Sequence, residues 1–206
     1  LQLRAVVLYQ LICQMGGADY FSFYSIKIFD DIGQNGAMAN MVVSLGDVLG
    51  AILSIWFVEA LGRKTSIIAA FISQTFAFAG LIAMDLTESY DFLYPICALY
   101  MLSCAIHSGI AGPLMVETIP SVGIGMALGL QSFITGLLGL FGPMMTDQWP
   151  GPTGTIGFFA LWGIGGIFLL SYAIIETKGK QMDEVQQEYL NFKYRPFRLC
   201  PRNVLG

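Results

Sequence analysis

From Ser66 to Thr177 the chain carries neither lysine nor arginine. Its apolar runs in that stretch are about as long as a lipid bilayer is thick, which takes roughly 20 residues of helix. Just before it stands Phe57-Val58-Glu59-Ala60-Leu61-Gly62-Arg63-Lys64-Thr65, the polar stretch that most constrains the fold. Glu59, Arg63 and Lys64 are costly to place in hydrocarbon, so the stretch reads as a tight turn at a membrane surface. Two adjacent cations mark that surface as cytoplasmic by the positive-inside bias.

Composition agrees. Charged residues make up 12% of the 206 residues and hydrophobic ones 55%. Soluble domains carry roughly 25% charged residues. The 24 glycines suit helices that pack closely in lipid. The net charge of −4 gives no reason to expect nucleic-acid binding. The cysteines (Cys13, Cys97, Cys104 and Cys200) form no CxxC pair, so neither a disulfide framework nor a metal site is expected. No cofactor pattern and no nucleophile–base constellation points to an enzyme. The start at Leu1, without Met, suggests a chain trimmed from a longer one, or only part of a chain.

Six transmembrane spans follow: about 5–28, 37–58, 66–84, 92–116, 124–146 and 155–175. The breaks hold Asp30 and Asp31, the 57–65 stretch, an acidic 85–91 loop, Glu117 to Gly123 with Pro120, and a Pro/Gly turn at 147–154. Nine of the ten cations then fall on one side, with both termini cytoplasmic. The expected domains are a six-helix bundle, 1–175, and a cytoplasmic tail, 176–206. In the tail Met182, Val185 and Tyr189 recur at helical spacing, opposite Asp183, Glu184 and Gln187. They predict a short amphipathic helix against the inner face, followed by a basic segment from Lys193 to Arg202.

Four motifs carry a resemblance. They are Glu59-x-x-Gly62-Arg63-Lys64 after the second span, and Glu176-Thr177-Lys178-Gly179-Lys180 after the sixth. The others are Gln14-Met15-Gly16-Gly17 with Phe23-Tyr24 in the first, and Val116-Glu117-Thr118-Ile119-Pro120 after the fourth. In this order the chain resembles helices seven to twelve, the C-terminal half, of the sugar porter branch of the major facilitator superfamily. The resemblance implies an all-α fold of two inverted three-helix repeats. Their first helices, the first and fourth spans, should be broken at Gly16-Gly17 and around Ser108-Gly109 and Gly112-Pro113. It also implies a carrier that moves a hexose-like, polyhydroxylated solute by alternating access, completed by six further helices or a partner subunit. The plasma membrane is the expected location.

By this resemblance Cys13, Gln14, Asp19, Tyr24, Asp47, Gly112, Ser132 and Phe133 stand at substrate-binding positions. Glu59, Arg63, Lys64, Glu117 and Glu176 form an inner gating network. The chain departs from the family pattern in several places. Cys13 stands for a Gln, Asp19 and Asp47 for Asn, Gly112 or Pro113 for Trp, Ser132-Phe133 for Asn-Trp, and Ile124 for Arg, while no Pro precedes Glu176. A second reading is a non-transporting half-carrier kept as a structural or assembly subunit.

Asp19 and Asp47 are the residues that composition makes unusual. Each costs about 2.5–3.5 kcal/mol at mid-bilayer. A cavity, a partner or protonation is needed to keep them there. His107 is expected to be a hydrogen-bonded interhelical histidine. The Gly46/Gly50 and Gly125/Gly129 pairs are expected to be helix-packing sites.

Overall fold

The computed structural model describes residues 2–119, 121–147 and 151–191. Among them the only regular structure is helical: α1 (Gln2–Gln14), α2 (Ala18–Asp31), α3 (Gly36–Leu61), α4 (Arg63–Thr87), α5 (Leu93–Thr118), α6 (Ser121–Asp147), α7 (Gly151–Ala173) and α8 (Met182–Leu190). Five of these, α3 to α7, are long and apolar enough to cross a membrane. They match the second to sixth predicted spans, with ends that differ by one to four residues. The basic segment 193–202 and part of the 147–154 turn lie outside the described residues.

The first predicted span differs. It is two shorter helices, α1 of 13 residues and α2 of 14, separated at Met15–Gly17. Gly17 takes φ +83°, a left-handed conformation that side chains make costly. A Cβ there would also lie 2.9 Å from the Phe159 ring. Met15-Gly16-Gly17 therefore breaks the helix, as expected. The fourth span corrects the companion expectation: α5 runs unbroken through Pro113 to Thr118. A proline inside a helix forfeits one backbone bond without ending it when the surrounding packing holds the segment.

The core lies in two zones. Around the break and beyond it is an aromatic zone, with Phe21 and Phe78 rings 4.7 and 4.8 Å from Tyr100 and Tyr20 5.4 Å from Phe159. Next to the 62–65 turn is a second zone of Tyr9, Ile12, Ile67, Phe71, Ile110, Leu114 and Leu170. Helices α3 and α5 meet closely, because the Cβ positions of Gly46 and Gly50 fall 2.8 and 2.5 Å from the carbonyls of Ala98 and Leu102. The Gly46/Gly50 packing site is thus real. Gly125 and Gly129 behave differently: nothing lies within 4 Å of either Cβ position, so they pack against nothing among the described residues. The sequence spacing is the same, but this face of α6 is turned away from the bundle.

Helix α8 docks as its periodicity predicts. Val185 and Tyr189 are buried against Ala5 and Ile175. Gln181 and Glu184 close its N-terminus as a reciprocal capping box.

Candidate functional site: a helix break and a ring of caps

The break explains how Asp19 is tolerated. Asp19 falls in the first turn of α2, whose N-cap Gly17 offers no side-chain oxygen. Free N–H groups and the helix dipole at that end favour a negative charge. A donor completes the arrangement: Thr135 Oγ1, from α6, lies 2.6 Å from Asp19 Oδ2. The same hydroxyl lies 3.3 Å from Gln14 Oε1, on the last residue of α1. Gln14 and Asp19 thus approach one point from the two sides of the break. A hydroxyl has one hydrogen to give, and the shorter contact assigns it to Asp19. Tyr24 reaches α6 as well, donating its hydroxyl to Gly139 O at 2.6 Å, with its ring over Gly142.

The other substrate-site candidates are dispersed. Cys13 is buried in the second core zone. Asp47 is exposed on α3 and has no hydrogen-bond or ion-pair partner among the described residues. Gly112 is exposed, with nothing near its Cβ position. Ser132 is exposed on α6, and Phe133 is 63% exposed beside it. Thr135 was not singled out from the sequence, yet it lies three residues past Ser132, one turn along the same helix. His107 corrects another expectation. It is fully buried, but neither ring nitrogen has a partner among the described residues. Its ring stacks on Phe71 at 4.6 Å and 7°, while its backbone carbonyl accepts from the Tyr9 hydroxyl at 2.6 Å.

At the other end the charged motif residues act as mutual helix caps. Glu176 accepts from the N–H groups of Arg63 (2.9 Å) and Lys64 (3.1 Å), supplying the carboxylate that the first turn of α4 lacks. Gly62 makes room: it has φ +87°, and a Cβ there would sit 2.8 Å from the Glu176 carboxylate. Lys64 extends the other way and donates to Ser171 O at 2.6 Å, in the last turn of α7, where cations are favoured. Ser66 and Lys178 donate to carbonyls near the end of α3, those of Phe57 and Ala60. Arg63 pairs with Glu117 Oε1 at 2.5 Å, and Glu117 Oε2 accepts from Thr177 Oγ1 at 2.5 Å. Of the five network residues, four are brought together; Glu59 is exposed on the last turn of α3 and joins none of these contacts. Thr177 and Ser171 are members that sequence reasoning missed. Thr177 was visible within the Glu176-Thr177-Lys178 motif, whereas a backbone acceptor such as that of Ser171 leaves no sequence signal.

Five helices of bilayer length, a broken helix pair beside a polar cluster, and reciprocal caps that join the ends of α3, α4, α5 and α7 fit a polytopic transporter fold of the major facilitator superfamily. The family model described as "Sugar (and other) transporter" matches residues 1–189, and the chain belongs to that family. It is 22% identical over 84% of its length to "Probable plastidic glucose transporter 2" of Arabidopsis thaliana, covering 37% of that protein. It is 25% identical over 85% of its length to "Sugar transporter ERD6-like 10" of the same plant, covering 41%. The chain therefore spans about two fifths of the length of these relatives.

Proposed function

We propose that this chain forms one half of a carrier that moves a hexose-like solute across its membrane by alternating access. One observation carries the reading: Gln14, Asp19 and Thr135 converge from α1, α2 and α6 at a helix break. A set of neighbouring acceptors with one shared hydroxyl suits a ligand rich in O–H donors. A solute hydroxyl can replace the Thr135 hydrogen at Asp19 or occupy the longer contact at Gln14. Discontinuous helices with a half-helix N-terminus at the site are the usual way secondary transporters bind solutes at membrane depth. Relatives named as glucose and sugar transporters support the substrate class.

The second part of the proposal is that the opposite wall of the site comes from outside this chain. Asp47, Ser132 and Phe133 are exposed on α3 and α6 and would meet solute or the other half there. The capped inner end holds α3, α4, α5 and the segment after α7 together, so the half moves as a body. Its charged ring would meet its counterpart when the inner side closes, with both ends of this chain cytoplasmic. Uptake of labelled hexoses by proteoliposomes containing the full-length protein tests the reading. Saturable uptake, competed by other hexoses and weakened by Thr135→Val, is expected. No uptake of any hexose by correctly inserted protein would refute it.

A further inference from the structure

Resting on that reading of the solute site, the geometry points to Gln74 and Tyr100 as positioning residues for it. Among the described residues neither hydrogen-bonds to Gln14, Asp19 or Thr135. Both donate to one atom, the carbonyl oxygen of Gly16 in the middle of the break: Gln74 Nε2 at 2.7 Å and Tyr100 Oη at 2.9 Å. A carbonyl has two lone pairs, so this one is fully taken. The donors come from different helices, α4 and α5, and each side chain is 0% exposed. The break is thereby tied to two helices of the bundle at a single point.

Several features show that the tie is built tightly. The Tyr100 ring is held between Phe21 and Phe78 at 4.7 and 4.8 Å, which leaves its hydroxyl little freedom. The Gln74 amide is oriented by the break, because its Oε1 is buried without a partner among the described residues. Reversing the amide would set oxygen against the Gly16 carbonyl and give up the bond. Gly16 leaves no slack: its Cβ position lies 3.0 Å from Gln74 Nε2 and 2.9 Å from Cys13 O. Gln14 stands two residues before the tied carbonyl and Asp19 three after it. A shift of that carbonyl therefore displaces both solute-binding side chains relative to Thr135.

The test uses the full-length protein in proteoliposomes, with Tyr100→Phe and Gln74→Leu read per correctly inserted molecule. Hexose and a panel of singly deoxygenated hexoses are the probes. Losing one hydrogen bond at the tie should raise KM for hexose roughly threefold to tenfold and leave kcat unchanged. The penalty that the normal protein shows for a missing sugar hydroxyl should shrink, because the groups that read it are no longer held in place. A purely structural role would lower the amount of folded protein and leave KM and the deoxy-sugar pattern as they were; that result in both variants overturns the inference. Should one variant fail to accumulate, hexose binding to the purified folded fraction of the other decides. Thr135→Val separates the inference from the reading beneath it. If Thr135→Val leaves KM unchanged, the solute site itself falls. If Thr135→Val raises KM and both tie variants do not, only the positioning role falls.

Discussion

Asp19 shows how little a residue's cost can be judged from its type alone. A carboxylate inside a membrane span is expensive. Here the chain breaks two residues before it, so a helix N-terminus and the Thr135 hydroxyl meet it. Thr135→Val should leave that carboxylate without its donor and cost about 1.5–3 kcal/mol of stability in detergent, the range for hydrogen bonds to charged groups. Thr135→Ser should restore most of it; thermal unfolding of the two variants side by side reads the difference. Gly62 is the second residue whose role depends on its surroundings. Gly62→Ala must hold a left-handed φ and displace the Glu176 carboxylate. A loss of about 1–3 kcal/mol is expected, and an unshifted unfolding midpoint would show that Glu176 moves aside freely.

Among the elements, α8 is the one whose docking can be titrated. Burial pushes the Tyr189 hydroxyl from its ordinary 10.0 up to about 12, offset in part by the Ile175 N–H. A raised phenol favours the neutral form in the docked state. Its contribution to docking is therefore complete below pH 10 and is lost as pH rises from 10 toward about 12. Ultraviolet titration of tyrosinate, with Tyr189→Phe as reference, should place this residue's step at the upper end. A step near 10 would mean that α8 is undocked. The α4 N-terminus is another element-scale case. Its first turn holds Arg63 and Lys64 and no acid, the wrong sign for a helix start, and Glu176 from a distant part of the chain corrects it. Replacing Glu176 with Gln should weaken the α4 start by roughly 0.3–1 kcal/mol, rising toward 2 kcal/mol if the partly buried setting amplifies it.

For the whole molecule the predictions concern sidedness and balance. A single cysteine at Ser89 should react with an impermeant reagent from outside intact cells, and one at Thr65 only from inside, if the expected placement of nine of the ten cations on the cytoplasmic side holds. Outside labelling at Thr65 would invert the orientation. Arg63→Ala removes the pair with Glu117, whose side chains are 21% and 30% exposed. Ion pairs of that kind contribute about 0.2–1 kcal/mol. The conformational balance should accordingly move only partly, toward inward-facing, and be read as increased labelling of cysteines in the inner cavity.

The sequence by itself determined the long apolar spans, because in hydrocarbon a helix satisfies its own backbone and charge is driven to its ends. Five of them stand where the apolar runs are, and the Gly16-Gly17 break and the amphipathic α8 also follow from local chemistry. The four motifs sufficed to point to the family. Tertiary structure alone decided the partnerships. Gly46/Gly50 and Gly125/Gly129 share a spacing, yet among the described residues only the first pair meets a neighbouring helix. Gly112-Pro113 looks like a break and is not one, since packing can hold a helix through a lost backbone bond. The contacts that matter most at the site join residues far apart along the chain, such as Thr135 with Asp19 and Gln74 or Tyr100 with the Gly16 carbonyl. Those bonds depend on which helix faces which, and when the acceptor is a backbone oxygen that every residue carries, no side chain in the sequence marks it.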